Sequence, residues 1–216
     1  MKAVVITGVA ALALAGSVVL AQQAAAPAPM PASPRGAAAA QVSGKWAVEK
    51  EGTAPRYRDG KWIVVDYGRP ILRGRTDIFG TDAEYGKTVN AGAPVWRTGA
   101  NQTTRFKTEA PLVFGGKTLP AGEYSLFVDL KPGAWTLVFS TQPHQTKYDP
   151  NNKAATWGSD GYDPKFDALR VPMQTSVGTT SIEQFTIAFI NMTQQGGALA
   201  LAWEKTVAVV AFTVGA

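Results

Sequence analysis

The residues best suited to binding chemistry lie in two short polar runs. The run DYGRP contains Asp66, Tyr67 and Arg69, and the run WRTGAN contains Arg97 and Asn101. The guanidinium of arginine is a planar fork of five N–H donors that suits a carboxylate or a phosphate. The amide of Asn101 could orient a hydroxyl or an amide of a ligand. These residue types predict a site for an anionic or polyol group.

Aromatic and charged neighbours complete this predicted ligand site. Tyr67 and Trp96 could flank it with ring faces, against which a sugar or an aromatic ligand would stack. Glu84 and Lys87 lie between the two runs and would add charge. The predicted set therefore consists of Asp66, Tyr67, Arg69, Glu84, Lys87, Trp96, Arg97 and Asn101.

The same charges also fit a purely structural network. Asp66 alternates with Trp62 and Val64 along one face of an apolar run that we expect to be a buried strand. A carboxylate on that face needs a partner, because a buried charge without one is costly. Arg69 or Arg97 would supply the partner. The sequence leaves the ligand site and the structural network as alternatives.

The composition removes several classes of catalytic and metal chemistry. The chain has 216 residues, no cysteine and one histidine. Disulfides, thiolate nucleophiles, iron–sulfur clusters and His-rich metal sites are therefore excluded. His144 lies between turn residues in the run QPHQ, and no serine lies in a nucleophile elbow. We therefore predict a surface histidine rather than a catalytic triad.

Carboxylates leave one catalytic alternative open. Two acids can act as a pair in glycoside hydrolysis, and Glu84 and Glu204 are the candidates. Glu204 would otherwise pair with a neighbour across a strand. The acidic stretch from Asp149 to Asp167 is expected to be a turn-rich loop rather than a calcium site, since Asp, Asn, Gly and Pro serve turns well. No metal and no cofactor is predicted.

The positive charge of the chain is local. The formal net charge is +5 at pH 7, and residues 56–75 contain six basic residues against two acidic ones. Nucleic-acid-binding proteins usually carry their basic residues in a broad stripe with recognisable motifs, which this sequence lacks. Nucleic acid is therefore not predicted as a partner, whereas a small anionic or carbohydrate-like ligand is.

The N-terminal segment has the pattern of an export signal. Residues 1–21 carry one charge, Lys2, followed by a run rich in Ala, Val and Leu that ends at Ala21. Small residues near Ala21 fit a cleavage site after it, and a membrane anchor, the alternative, would have a basic flank beyond the apolar run. We expect a periplasmic or secreted protein without an integral membrane span after cleavage. Residues 22–41, rich in Ala and Pro, are expected to form a linker.

Alternation of apolar and polar residues dominates residues 42–216, which we expect to form one domain. Candidate strands are 42–48, 62–67, 103–108, 112–114, 123–130, 135–139, 183–192, 198–203 and 206–214. The runs 62–67 and 206–214 are apolar on both faces, as in central strands. Gly115–Gly116 and Pro132–Gly133 mark hairpin turns. The pattern predicts an all-β fold, a jelly-roll-like antiparallel β-sandwich with one short helix near residues 81–87 and at most one other.

The tryptophans divide by their position in these runs. Three at alternating strand positions are expected in the core: Trp62, Trp135 and Trp203. Three near loops or strand ends are expected to be exposed: Trp46, Trp96 and Trp157. Exposed tryptophans usually serve interfaces, which adds a carbohydrate-binding interpretation.

A series of short runs spans most of the domain. They are Asp66–Pro70, Arg73–Arg75, Ile78–Gly80, Val95–Asn101, Gly115–Lys117, Leu119–Phe127, Trp157–Gly158, Tyr162–Asp163, Arg170–Val171, Phe185–Ile187 and Trp203–Lys205. In this order they resemble the bacterial exported family called domain of unknown function 2911. The resemblance implies an exported β-sandwich-like domain and no reaction. Residues 42–61 depart from it, because this segment is longer and more basic than the family's pattern.

The sequence thus predicts an exported β-sandwich with a binding or structural role. It identifies no catalytic residue and no oligomeric state. Two alternatives stay open: a hydrolase acting on a saccharide or an ester, and a self-associating component of the cell envelope. The second is suggested by the long apolar last strand and the Ala/Pro-rich segment.

Overall fold

The computed structural model describes residues 31–215 of the chain. The predicted export signal, residues 1–21, lies outside the described residues, as does the predicted linker up to residue 30. No helix within residues 31–215 is long and apolar enough to cross a membrane.

Strands make up most of the described chain. They are β1 (Arg35–Val42), β2 (Lys45–Ala47), β3 (Arg56–Arg58), β4 (Lys61–Gly68), β5 (Thr104–Thr108), β6 (Leu112–Phe114), β7 (Lys117–Leu119), β8 (Gly122–Asp129), β9 (Thr136–Ser140), β10 (Asp167–Pro172), β11 (Gln174–Thr193) and β12 (Gly196–Val214). Two 3-10 turns, Asp82–Glu84 and Pro164–Phe166, and one short helix, α1 (Lys87–Asn90), are the helical parts of these residues. The all-β prediction is confirmed.

Two antiparallel sheets form the sandwich. One has six strands in the order β1-β4-β5-β8-β9-β10, and the other has four in the order β11-β12-β6-β7. β2 and β3 pair with each other beyond the ends of β1 and β4. β6 and β7 flank Gly115–Gly116, and β8 and β9 flank Pro132–Gly133, as the turn signals predict.

Aromatic side chains fill the centre of the sandwich. The Trp96 ring contacts those of Phe79, Trp135, Phe185 and Trp203, with centroid separations between 4.9 and 6.2 Å. Trp135 and Trp203 are buried, as alternation predicts. The predicted exposure of Trp96 is wrong, since the residue is 1% exposed. Its backbone explains this, because Trp96 forms an antiparallel bridge with Val128 of β8 and is thereby drawn under the sheet.

β4 is buried on one face only, contrary to the sequence prediction. Ile63, Val65 and Tyr67 are buried, whereas Trp62 is 46% exposed and Asp66 is exposed. The face that carries Trp62 and Asp66 is open to solvent, so the placement of Trp62 in the core is wrong. A carboxylate in water needs no buried partner. The structural network proposed around Asp66 is therefore wrong as well.

The first strand, β1, covers residues that the sequence analysis assigns to the linker. β1 pairs with β4 over its whole length, from Arg35 opposite Gly68 to Val42 opposite Lys61. Its alanines bring little side-chain area, but each residue still offers an N–H and a C=O to the strand ladder. Residues 35–41 therefore belong to the domain, and the linker prediction is corrected over this range.

Candidate functional site

Glycines from three separate runs bring their backbones into direct contact. A Cβ on Gly68 would lie 2.0 Å from the Ala100 carbonyl oxygen, and one on Gly99 would lie 2.7 Å from the Gly68 carbonyl oxygen. A Cβ on Gly158 would lie 2.9 Å from the Asn101 carbonyl oxygen. No side chain fits these spaces. The runs DYGRP, WRTGAN and Trp157–Gly158 therefore meet at one junction.

Buried threonines hold the loop of residues 97–102 at this junction. The Thr104 hydroxyl donates to the Thr98 carbonyl at 2.8 Å, and the Thr103 hydroxyl donates to the Gly158 carbonyl at 2.9 Å. All three threonines are at most 4% exposed. Satisfied buried polar groups of this kind fix a loop in one conformation. The side chains of Arg97 and Asn101 are thus carried on a rigid support.

Besides a cleft of about 360 Å³ that Arg97 and Asp160 both line, two clefts border the 97–102 loop. The first, which we call the arginine cleft, has a volume of about 260 Å³. Its polar lining comprises Ser33, Arg75, Thr88, Arg97, Asn101 and Trp203. None of the described residues that line it is an aspartate or a glutamate. The arginine cleft is therefore lined by cations and neutral polar groups.

Arg97 is half-buried in the wall of the arginine cleft. One of its terminal nitrogens donates to the Asn101 carbonyl at 3.2 Å, and its other N–H groups have no acceptor within residues 31–215. Burial lowers the pKa of Arg97, an effect opposed by the nearby Asp160 carboxylate. Arginine nevertheless stays protonated in proteins. The cleft thus contains a partly desolvated cation with unused donors.

The lining of the arginine cleft also includes a second guanidinium, that of Arg75, and the buried indole of Trp203. Arg75 donates to the carbonyls of Ile71 and Leu72 at 2.8 and 3.0 Å, and its guanidinium lies 5.9 Å from the centre of the Trp203 ring. Trp203 is 3% exposed, and its Nε1–H finds no acceptor among the described residues. A buried donor without a partner is rare. Arg75 therefore adds positive charge to the cleft, whereas the Trp203 Nε1–H is shielded from solvent.

The second cleft, which we call the carboxylate cleft, has a volume of about 270 Å³. The Asp66 carboxylate lines it and makes no ion pair or side-chain hydrogen bond with any residue of the described chain. Arg35 donates to Gln102 on its rim. Trp157 forms part of the wall and packs against Tyr148, which is 51% exposed.

The two clefts adjoin at the 97–102 loop. Ser33, Ala100 and Asn101 line both of them. Asn101 has a left-handed backbone with a φ of 63° and an exposed side chain. Its amide can donate and accept hydrogen bonds at the boundary between the clefts.

Arg69 lies outside the lining of both clefts. It donates to the Phe185 carbonyl and to the Thr186 hydroxyl, both at 3.2 Å, and so ties the end of β4 to β11. Its side chain fills the space above Gly36, where a Cβ would lie 2.1 Å from the Arg69 Cδ. The structure thus assigns Arg69 to the scaffold and separates it from Arg97 and Asn101.

The predicted stacking residues belong to the core. Tyr67 is 4% exposed, accepts a hydrogen bond from the Ile187 N–H at 2.9 Å and packs edge-on against Phe185. Trp96 lies in the central aromatic cluster. Both residues border a cleft, but neither offers an open ring face. Trp157, half-buried at the carboxylate cleft, has the accessible ring instead.

The predicted charged neighbours form local contacts. Glu84 and Lys87 make an exposed ion pair at 2.8 Å, and neither lines either cleft. The Glu204 carboxylate accepts the backbone N–H groups of Asp77 and Ile78 at 2.7 and 3.0 Å. The two acids considered for glycoside hydrolysis therefore each have a separate structural partner.

The acidic stretch forms turns, as the sequence predicts. Asp149 accepts the N–H of Asn151, and Asp163 accepts the N–H of Lys165. Residues 31–215 contain no group of three or more His, Cys, Asp or Glu side chains that could hold a metal ion. His144 is half-buried rather than fully exposed, and burial lowers its pKa.

Sequence reasoning missed several of the lining residues. Arg75 is absent from the predicted ligand set, and Arg35 lies in the predicted linker. Gln102 directly follows the WRTGAN run and could have been found by extending it by one residue. For Trp203, the alternation with alanines predicts burial in the core. It gives no information on whether the Nε1–H has a hydrogen-bond acceptor.

One comparison with known proteins gives a match. A family model with the description "Protein of unknown function (DUF2911)" matches residues 50–212, which include the DYGRP and WRTGAN runs. No curated protein and no solved structure matches the chain.

Proposed function

This chain belongs to the family described as "Protein of unknown function (DUF2911)", and we propose that it is a binding protein whose Arg97 holds a small anion in the arginine cleft. The observation that carries this proposal is the half-buried Arg97 guanidinium, which uses one donor group within residues 31–215. It lines the arginine cleft, whose described lining has no carboxylate, and it also lines the neighbouring cleft that contains Asp160. Such a cation favours a carboxylate, phosphate or sulfate group, because charge-assisted hydrogen bonds are strong where water is partly excluded.

Each lining residue has a separate part in this binding. The planar fork of Arg97 donates to two oxygens of the anion, while Arg75, which lines the same cleft, adds positive charge. Asn101 and Thr88 contribute neutral hydrogen bonds at the rim. The aromatic core beneath the cleft keeps the site in place. The rigid 97–102 loop reduces the entropy lost on binding, since the site is preorganised.

We also propose that the protein works outside the cytoplasm. The pattern of residues 1–21 supports export, with cleavage after Ala21. A binding role fits a sandwich in which the binding residues lie on loops positioned by rigid sheets.

An Arg97→Ala variant tests the anion site directly. We expect it to weaken the binding of inorganic phosphate, sulfate or acetate by roughly 10- to 100-fold, because a charge-assisted hydrogen-bond pair is lost. Arg97→Lys keeps the charge but not the fork, so its loss is expected to be smaller. Titration calorimetry at low ionic strength gives the affinities, and thermal melting shows whether each variant is folded.

Arg56→Ala is the matched control. Arg56 carries the same charge, but its side chain is 70% exposed on β3 and lines neither cleft. It should leave the anion affinity unchanged. Equal losses in Arg56→Ala and Arg97→Ala, or no binding of any of the three anions to the unaltered protein, would overturn the proposal.

A further inference from the structure

The two clefts differ in chemistry although they adjoin. The arginine cleft is lined by two guanidiniums and no described carboxylate, whereas the carboxylate cleft is lined by the unpaired Asp66 together with one cation, Arg35, which donates to Gln102. A second anionic group of a ligand placed beside Asp66 would be repelled by its carboxylate. A hydroxyl would be favoured there, because an ionised carboxylate only accepts hydrogen bonds.

The carboxylate cleft also offers an apolar surface. Trp157 forms part of its wall, and its ring packs against the half-exposed Tyr148 with a centroid separation of 5.8 Å. An aromatic face next to hydrogen-bonding side chains suits a molecule with both C–H and O–H surfaces. Asn101, which lines the same cleft, supplies an amide for a further hydroxyl.

The dimensions limit what can occupy each cleft. The volumes of about 270 and 260 Å³ lie just below the usual range for small-molecule pockets, which begins near 300 Å³. Each cleft therefore accepts one compact group. A ligand that crosses the boundary at Asn101 would place one such group in each.

We infer that the ligand is a polyhydroxylated anion of the acidic-saccharide class, with its carboxylate or phosphate on Arg97 and its hydroxylated ring between Asp66 and Trp157. This inference rests on the proposed function and specifies the ligand class. Asn101, which lines both clefts, contacts the ligand where the charged group joins the ring. The order of groups along the site, cation then amide then carboxylate and indole, matches the order of groups along such a ligand.

Calorimetry with simple and composite probes separates the two clefts. The probes are acetate, inorganic phosphate, D-glucose, D-glucuronate, D-galacturonate and glucose 1-phosphate. We expect at least one of the acidic sugars to bind about tenfold or more tightly than the simple anions and than glucose, since it occupies both clefts.

Variants on the two sides should respond differently. Asp66→Ala and Trp157→Ala are expected to lower the affinity for the acidic sugar about tenfold and to leave that for acetate and phosphate unchanged. Arg97→Ala should lower both. Glu51→Ala removes an exposed carboxylate outside the clefts and is the control for Asp66. Trp157→Phe keeps an aromatic wall if Trp157→Ala fails to fold.

The outcomes distinguish this inference from the proposed function. If phosphate or acetate binds through Arg97, but no acidic sugar binds more tightly, the inference is overturned and the anion site stands. The same holds if Asp66→Ala and Trp157→Ala leave the acidic-sugar affinity unchanged. If Arg97→Ala leaves the affinities for the simple anions unchanged, the proposed function is overturned and the inference with it.

Discussion

A Gly68→Ala variant is expected to lose about 3 kcal/mol of folding free energy, with a fall in Tm of roughly 6–12 °C. The added Cβ would lie 2.0 Å from the Ala100 carbonyl oxygen and 2.9 Å from the Ala100 carbonyl carbon. Both atoms belong to the backbone, so no side-chain rotation relieves the overlap. Either the end of β4 or the 97–102 loop must move.

The same variant should also weaken anion binding. The loop displaced by the new methyl group carries Arg97 and Asn101. Thr98, in the same loop, accepts a buried hydrogen bond from the Thr104 hydroxyl. A shift of that loop breaks the bond or moves the guanidinium. We therefore expect loss of affinity together with loss of stability, measured by calorimetry and by urea or thermal denaturation.

Gly178→Ala provides the comparison. The nearest heavy atom to a Cβ on Gly178 would be the Lys205 carbonyl oxygen at 3.7 Å, an ordinary contact. Its effect should stay within about 0.5 kcal/mol of the unaltered protein. A Gly68→Ala variant as stable as Gly178→Ala would show that the two backbone runs are not packed as described.

Alternation was a reliable guide to the strands because it reflects one physical requirement. A strand in a sandwich presents one face to the core and the other away from it. On β5, Thr104, Phe106 and Thr108 are buried, whereas Lys107 between the last two is exposed. β1 gave no such signal, because alanine is tolerated on either face. Its place is set by pairing with β4, a long-range contact that a local pattern does not contain.

The same limit explains the mixed outcome at the candidate site. The runs DYGRP and WRTGAN do come together through glycine backbones, and the Arg97 guanidinium lies over Gly158 at the same junction, whereas Arg69 turns to β11. Arg97 lines a cleft, while Arg69, in a similar position after a strand, is used by β11. Arg69 uses its donors on β11, which lies more than a hundred residues further along the chain. A local sequence pattern cannot show this contact, so it cannot show which arginine keeps unused donors.

The burial of Trp62 and Trp96 also depends on long-range contacts that a local sequence pattern does not contain. Periodicity placed Trp62 in the core and proximity to a loop placed Trp96 outside, and the structure reverses both. The side of β4 that faces the core follows from the neighbouring sheet, so both alternating faces of an apolar strand were equally compatible with the sequence. Trp96 is buried by its bridge to β8 and not by any periodicity of its own segment.

The Trp96→Ala variant is expected to be the most damaging of the substitutions considered, with a loss of about 4 kcal/mol and a fall in Tm of roughly 8–16 °C. Trp96 is 1% exposed and has four aromatic neighbours, including Trp203, whose ring is stacked at 6.2 Å with an interplanar angle of 10°. Removing the indole leaves a cavity that these rings cannot fill without moving.

Trp46→Ala is the control, because it removes the same side chain from a position that is 66% exposed. We expect a change within about 0.5 kcal/mol, although the edge-on contact with Tyr57 is lost. Equilibrium urea unfolding followed by near-ultraviolet circular dichroism measures both variants. Similar losses in the two would contradict the central position of Trp96. A large loss of stability confined to Trp96→Ala supports an arginine cleft that is lined in part by the core. The residue that binds the anion, Arg97, and a residue that stabilises the fold, Trp96, are then neighbours in the sequence.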